Sequence, residues 1–180
     1  SIRGINLTLS ATNNIGTITN HLNTEVATLS AIAGDAGLFV TESNALTIDT
    51  VSTTGDAVIT ATSIVDVDET SLITGTNLTL NATENIGTST NHLNTNVDTL
   101  SAIAGDAGLF VTETNAVTIN NLESNGAMIL QVSTGDINTT SDAVITSKAN
   151  TLIEAIAGML GKTFTIASND LNPPDVGQCF

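Results

Sequence analysis

Apolar and polar residues alternate over short stretches along most of the chain. Residues 6–10 read Asn-Leu-Thr-Leu-Ser, and residues 45–49 and 64–68 follow the same rule. Alternation over four to six residues rich in Thr, Val, Ile and Leu is typical of a β-strand with one buried face. Gly, Asn, Asp and Ser interrupt these stretches, as at residues 34–37 and 54–56, and supply turns. The pattern predicts an all-β chain of short strands.

A long internal repeat organises these strands. Residues 4–48 align with residues 75–119 at a constant offset of 71, and 37 of the 45 positions are identical. Self-similarity of this kind is the signature of a stacked repeat architecture. We therefore predict one parallel β-solenoid over residues 1–180 with roughly 18–24 residues per coil. The repeat units are 4–74 and 75–145, and residues 146–180 form a degenerate coil and a C-terminal cap.

The repeat also predicts a register. A unit of 71 residues would fill three to four coils, so residues 6–10 and 77–81 are expected on the same face of the solenoid. One segment, residues 150–162, fits two interpretations. Its apolar residues have helical spacing, which would suit an end cap, but its sequence resembles the phrase T-L-S-A-I-A-G of the repeat. We favour another coil.

Three phrases carry a resemblance to a known family: N-L-T-L-x-A-T-x-N-I-G-T, T-L-S-A-I-A-G-D-A-G-L-F-V-T-E and G-D-A-V-I-T-A. Over residues 4–166 the chain resembles the coils of filamentous-haemagglutinin-like bacterial exoproteins, which are two-partner-secretion adhesins. The resemblance implies a right-handed parallel β-helix that is secreted to the bacterial cell surface. It further implies an adhesin, a surface filament or a stalk. The family's secretion domain and toxin domains are not visible in this stretch, so we expect a shaft segment.

Charge and the length of the apolar runs each exclude one class of partner. Three Lys and Arg stand against 18 Asp and Glu, for a formal net charge of −15, and residues 4–147 contain no Lys or Arg. Nucleic-acid binding requires basic residues that neutralise phosphates. No apolar run reaches the length of a membrane span, so we expect no membrane insertion. Because like charges repeated along a stack repel, we expect the acids in loops and on outer faces.

The densest acidic spot is a weak calcium candidate. It consists of Asp66, Asp68 and Glu69, and strand alternation would place the two aspartates on one face. Carboxylates are the oxygen ligands that calcium prefers. The G-G-x-G-x-D signature of calcium-binding solenoids is missing, so we favour a solvated strand face and expect no cofactor. Asp35 and Asp106, within A-G-D-A-G, are predicted to cap turns.

The two histidines occupy the same position of the repeat. His21 and His92 both lie in the phrase T-N-H-L-N-T. Three or four coils, each rising about 4.8 Å, would keep them beyond the reach of one metal ion. We interpret them as inherited loop residues and predict no zinc site.

Three functions are compared on these grounds. A polysaccharide-degrading β-helix would group carboxylates or pair them with bases, whereas the acids are scattered and the central coils have no Lys or Arg. We therefore predict no enzyme. An ice-binding solenoid would repeat T-x-T at a constant interval, but residues 17–19, 60–62 and 112–114 do not.

The remaining hypothesis is a structural or adhesive segment. Open solenoid ends expose unpaired strand edges, so chains could stack end to end into a filament. Pro173, Pro174, Cys179 and Phe180 would then form a terminal plug or joint. Glycans or proteins of a host or a neighbouring cell are the expected surface partners.

Overall fold

Short β-strands make up the regular structure of the protein. The computed structural model describes residues 1–68 and 70–158 and the main chain of residues 167–168, and every regular element in these ranges is a strand. The strands are β1 Ile2–Arg3, β2 Asn6–Ser10, β3 Asn14–Ile15, β4 Leu22–Glu25, β5 Thr28–Ala33, β6 Gly37–Glu42, β7 Leu46–Thr53, β8 Ala57–Ala61, β9 Ile64–Asp66, β10 Leu72–Ala82, β11 Asn85–Ile86, β12 Leu93–Ala104, β13 Gly108–Glu113, β14 Val117–Ser124, β15 Met128–Val132, β16 Ile137–Ser147, β17 Thr151–Ala155 and β18 Ala167–Ser168.

All named strands pair in parallel with strands one turn away along the chain. The shortest register offset is 18 residues, between Leu22 and Val40, and the longest is 23, between Asn14 and Gly37. The chain is therefore a β-solenoid of about seven turns with about 21 residues per coil. This confirms the predicted all-β parallel solenoid and its coil length, while the handedness stays a prediction.

Each turn is made of two half-coils on opposite sides of the axis. We call the two resulting columns of strands the front stack and the back stack. The front stack contains β2, β5, β7, β9 with the start of β10, β11 with the start of β12, β13, β15 and β17. The back stack contains β1, β3 with β4, β6, β8, the ends of β10 and β12, β14, β16 and β18.

Inward side chains of both stacks form one aliphatic core. Because the strands are parallel and in register, each inward residue lies on its counterpart in the next turn. One column of the back stack runs through Leu38, Ala57, Leu78, Leu100 and Ile119, and all five are at most 1% exposed. Burying apolar surface stabilises by roughly 25 cal/mol per Å², so these columns supply most of the cohesion between turns.

The two repeat copies lie in different stacks. Strand β2 (residues 6–10) pairs with β5 in the front stack, whereas residues 77–82 pair with β8 and β12 in the back stack. Seven half-coils separate them, so 71 residues correspond to three and a half turns. The expectation that residues 6–10 and 77–81 share a face is wrong. Both half-coils follow the same apolar and polar alternation, so the pattern does not distinguish one side from the other.

The longest insertions lie at one corner of the half-coil, while the other bends vary by one residue. In β6 the corner holds the single residue Phe39, between the paired positions Leu38 and Val40. In the turn below, the same corner holds residues 16–21, and residues 67–71 and 87–92 occupy it in later turns. These loops leave the strand registers intact on both sides, which explains the variation in coil length.

The C-terminal described segment is another coil. Strand β17 pairs in parallel with β15, so Met128 lies beside Thr151 and Val132 beside Ala155. The preference for a coil over a helix in residues 150–162 is confirmed for residues 151–155. Residues 159–162 and Pro173, Pro174, Cys179 and Phe180 lie outside the described residues.

Two glycines close equivalent turns between half-coils. Gly37 has φ 90° and Gly108 has φ 101°, a backbone conformation that other residues rarely adopt. The amide of Gly108 donates to the carbonyl of Gly105 at 3.2 Å. A Cβ atom on Gly108 would lie 2.7 Å from the carbonyl oxygen of Ala127 in the next turn. The glycine therefore satisfies both the turn conformation and the close approach of two coils.

We predict that Gly108→Ala lowers the free energy of unfolding by about 2–4 kcal/mol, since it adds backbone strain and a main-chain clash. Gly4→Ala is the matched control, because a Cβ atom there would meet nothing within 4 Å. Chemical denaturation monitored by far-UV circular dichroism measures both changes. Equal stability of the two variants would contradict the assigned role of Gly108.

Candidate functional site

The most distinctive outer surface forms around the loop of residues 16–21. Thr17 and Asn20 are joined by an antiparallel bridge that makes the loop a small hairpin. Nδ1 of His21 lies 3.0 Å from Oγ1 of Thr41, and its ring centroid lies 5.9 Å from that of Phe39. Phe39 points away from the core but is only 7% exposed, because it lies beneath this hairpin. We call residues 16–21 with Phe39 and Thr41 the first hairpin patch.

The second repeat copy builds the same surface again. Residues 87–92 with Phe110 and Thr112 form the second hairpin patch. Nδ1 of His92 lies 3.0 Å from Oγ1 of Thr112, and the centroids of His92 and Phe110 are 6.0 Å apart. Both patches also have an asparagine at the loop entry, whose Nδ2 donates to the carbonyl of the loop glycine: Asn14 to Gly16, and Asn85 to Gly87.

The three-and-a-half-turn offset places the two hairpin patches on opposite sides of the rod. At about 4.8 Å per turn they are about 17 Å apart along the axis. His21 and His92 therefore belong to separate sites that face in opposite directions. Sequence reasoning recognised the two histidines as loop residues but missed their packing on an outward phenylalanine.

Asp66 is one of two features that distinguish the patches, and the other is the exposed Ile18 of the first hairpin, whose counterpart in the second is Ser89. The carboxylate of Asp66 is 5% exposed and accepts from Nδ2 of Asn91 at 2.8 Å, from the main-chain amide of Asn94 at 3.2 Å and from Nδ2 of Asn94 at 3.0 Å. It thus holds the second hairpin patch to the coil before it. In the first patch, Asn20 and Asn23 occupy these two positions and are exposed.

The two described aspartates of the weak calcium candidate have separate hydrogen-bond partners. Asp66 takes the inward position of β9 after Ile64, so the expectation of a solvated face is wrong for it. Asp68 is exposed and closes a turn, and hydrogen bonds from Thr70 and Ser71 lower the pKa of its carboxyl group. Glu69 lies outside the described residues. Within residues 1–68 and 70–158, no group of three His, Cys, Asp or Glu side chains is placed to hold a metal ion.

The predicted turn aspartates lie in turns. Asp35 and Asp106 are exposed, each between a glycine that begins the turn and a glycine that ends it. The hydrogen bond that closes each turn joins main-chain atoms, from Gly37 to Gly34 at 3.1 Å and from Gly108 to Gly105 at 3.2 Å.

Two glutamates are buried, contrary to the expectation that all acids lie in loops or on outer faces. Glu42 is 3% exposed and Glu113 is 0% exposed. Oε2 of Glu42 accepts from the main-chain amide of Val26 at 2.9 Å, and Oε1 accepts from that of Asn44 at 3.0 Å. Each glutamate satisfies amide groups at bends of two successive turns, which would be costly to leave unpaired.

Glu113 accepts from a hydroxyl group in the preceding turn, whereas the hydroxyl that donates to Glu42 belongs to the adjacent Ser43 at 3.4 Å. The carboxylate of Glu113 accepts from Oγ1 of Thr95 at 2.7 Å, from the amide of Val97 at 3.2 Å and from the amide of Asn115 at 3.1 Å. Burial raises the pKa of Glu113, and these hydrogen bonds to the charged form oppose the shift. The sequence did contain a signal, since V-T-E continues the alternation and places Glu at an inward position in both copies.

Outward rows along the solenoid change residue type from turn to turn. One such row runs in order through Asn23, Thr41, Thr60, Asn81, Ile103, Glu123 and Thr146. Ice binding would require threonine to recur along such a row, and this row has it in only two consecutive turns. Beside Ile103 and Glu123 a shallow groove of about 290 Å³ reaches Lys148.

Comparison of the chain with protein-family models, curated proteins and solved structures found no match. In the described part of the chain no helix is long and apolar enough to cross a membrane.

The environment of Glu113 predicts a pH dependence of stability. Because its pKa is higher in the folded than in the unfolded state, the folded state binds more protons between the two values. The contribution of this group to stability is therefore complete below its ordinary pKa of 4.5 and is lost as the pH rises through the raised value. We expect the free energy of unfolding to fall over this window with a slope of up to about 1.4 kcal/mol per pH unit.

Urea denaturation at a series of pH values measures this slope. Glu113→Gln should remove it, and the difference from the unmodified chain separates it from the general effect of net charge. Thr95→Val removes a hydrogen bond that lowers the pKa, so it should extend the loss of stability to higher pH. Identical pH curves for the unmodified chain and Glu113→Gln would contradict the prediction.

Proposed function

We propose that the chain is a structural and adhesive segment of a secreted bacterial surface protein of the filamentous-haemagglutinin-like kind. In this proposal the solenoid is a rod whose outer surface binds glycans or proteins of a host or neighbouring cell. Its ends associate with further coils, so that rods extend into filaments.

The unbroken parallel ladder is the observation that carries the proposal. Each half-coil from β2 to β17 pairs with the half-coil one turn away, so main-chain hydrogen bonds run along the whole described length. Such a ladder has no internal boundary at which a rod must end. A parallel strand at the end of the stack presents unpaired amide and carbonyl groups to a further coil.

The paired hairpin patches support the adhesive part. They present the same histidine, threonine and asparagine side chains on opposite sides of the rod. A rod with one surface on two sides can bind two partner surfaces at once, and linked sites gain avidity without new contacts.

Electron microscopy of the purified chain tests the structural part. Each added chain of about seven turns should lengthen a rod by about 34 Å at about 4.8 Å per turn, and the length distribution should shift upward with protein concentration. Mass photometry over the same concentrations gives the number of chains per rod. Rods that keep the length of a single chain at every concentration would contradict end-to-end association.

The adhesive part predicts two equivalent binding sites. Thr19 and Thr90 are exposed at corresponding positions of the two hairpins. Thr19→Arg and Thr90→Arg should therefore each halve the number of partner sites bound per chain on a glycan array or on epithelial cells. The double variant should abolish binding. Thr54→Arg, exposed outside both patches, is the control and should bind like the unmodified chain. Absence of binding by the unmodified chain would leave only the structural part of the proposal.

A further inference from the structure

The shallow groove beside Ile103 lies on the outer face of the back stack, three turns beyond Thr41 of the first hairpin patch. It has a volume of about 290 Å³ and follows the ends of three successive strands, β12, β14 and β16. Each of these strands is paired on both sides, so the groove is an internal feature of the stack. Five of its lining side chains carry its chemistry: Ile103, Glu123, Asn125, Thr146 and Lys148.

Two buried serines hold the bend that forms one wall of the groove. Ser124 is 5% exposed and Ser147 is 1% exposed. Oγ of Ser124 accepts from the amide of Gly126 at 3.1 Å and donates to the carbonyl of Ala127 at 3.2 Å. Oγ of Ser147 donates to the carbonyl of Gly126 at 2.9 Å. The wall is therefore fixed in the unbound protein, which lowers the cost of ordering it when a ligand binds.

The rim of the groove carries one acceptor and one donor at full charge. Oε1 of Glu123 accepts from Nδ2 of Asn121 at 2.7 Å, which fixes the side chain, and Oε2 has no hydrogen-bond partner among the described residues. Lys148 is exposed and forms no ion pair with a described acid. Both charged groups are therefore available to a ligand that lies between them.

The first repeat copy has the apolar position of this groove without its charges. Ile32 and Ser52 pair in the same register as Ile103 and Glu123, at an offset of 71 residues. Ile32 is 57% exposed and Ile103 is 42% exposed. A hydroxyl group thus stands in the first copy where the second has a carboxylate, and residues 4–147 contain no Lys or Arg. The combination occurs once in the described part of the chain.

A neutral sugar ring has the groups that this lining can bind. One face of a hexopyranose consists largely of C–H groups, which pack on an exposed aliphatic side chain such as Ile103. Its hydroxyl groups both donate and accept, so one can donate to Glu123 while its neighbour accepts from Lys148. Asn125 and Thr146 offer further donors and acceptors beside them. The volume is near the lower limit of roughly 300 Å³ for ligand pockets, which suits a single ring.

Local charge favours a neutral sugar over an acidic one. Asp106 is exposed one turn before Gly126, where a Cβ atom would lie 2.3 Å from the Asp106 carbonyl oxygen. Together with Glu123 it places two carboxylates against the single ammonium group of Lys148, in a chain whose formal net charge is −15. A sugar carboxylate is therefore repelled, and salt weakens this repulsion because the charges are exposed.

We infer that the shallow groove binds one neutral hexopyranose, with Ile103 beneath the ring and with Glu123 and Lys148 at its hydroxyl groups. The site goes beyond the proposed adhesive surface, because it shares no residue with the hairpin patches. One site per chain gains no avidity, so its binding is weak and is measured in solution.

Nuclear magnetic resonance titration of the isotope-labelled full chain tests the site. The neutral probes are methyl glucoside, methyl galactoside and methyl mannoside, and methyl glucuronide is the acidic match of the first. At least one neutral probe should shift the amide signals of Ile103, Asn125 and Lys148 and leave those of Ile32 and Thr54 unchanged. The glucuronide should bind at least about fivefold more weakly than the glucoside, and roughly 0.5 M salt should narrow this difference.

Variants of the two charged residues test their roles. Glu123→Gln and Lys148→Gln should each lower the affinity about tenfold, since each removes a charged hydrogen-bond partner. Asp142→Asn is the matched control for Glu123→Gln, because it changes the net charge equally at an exposed position outside the groove. It should bind like the unmodified chain.

Three results would overturn the site: no shift with any neutral probe, tighter binding of the glucuronide than of the glucoside, or equal affinity of the control and both groove variants. Cell binding separates the site from the proposed function. If the unmodified chain binds no cells while the groove signals still shift, the adhesive proposal fails and the groove site stands. If the chain binds cells while no neutral probe shifts these signals, the groove site fails and the adhesive proposal stands.

Discussion

The structure depends on the parallel main-chain ladder that joins every half-coil to the one a turn away. Because the ladder fixes the vertical spacing, side chains at equal positions must stack directly on one another, which produces columns such as Leu38, Ala57 and Leu78. The same constraint determines where length can vary. An insertion within a strand would shift the ladder, so the added residues lie at the corner occupied by the single residue Phe39 in a turn of minimal length. The hairpins that distinguish the outer surface are consequences of this restriction.

Because the two half-coils of a turn are equivalent, a duplication need not span a whole number of turns. A duplication by a whole number of turns would have placed the second copy above the first. A duplication of seven half-coils fits equally well, because front and back strands obey the same alternation and share the same corner. The outcome is a rod with matching hairpin patches on opposite sides. They differ in two respects: the exposed Ile18 of the first patch is Ser89 in the second, and the preceding coil supplies Asp66 to the second patch.

Sequence reasoning was sufficient for the fold class, because alternation and self-similarity can be recognised along the chain without knowing which turns are neighbours. It was insufficient for relations between turns. The side of the rod on which residues 77–81 lie depends on the number of half-coils, which loops of variable length conceal. Burial of Phe39 depends on a hairpin that belongs to the preceding turn. By residue type Glu42 would be expected on the surface. Its burial depends on a hydrogen bond from the amide of Val26, which is 16 residues away along the chain.

The buried carboxylates explain how the solenoid tolerates its acidity without basic residues. Glu42, Glu113 and Asp66 accept hydrogen bonds from main-chain or asparagine N–H groups, and for the two glutamates these donors are amides at bends of the chain that would be costly to leave unpaired. The charge of each of these carboxylates is therefore stabilised by N–H donors, and no Lys or Arg is needed beside it. The repeat keeps Glu42 and Glu113 about 17 Å apart along the axis, where two charges repel by about 1 kcal/mol at an effective dielectric constant of about 20. Duplication of such a unit multiplies the charge at a small cost in repulsion, because each new carboxylate brings its own donors with it.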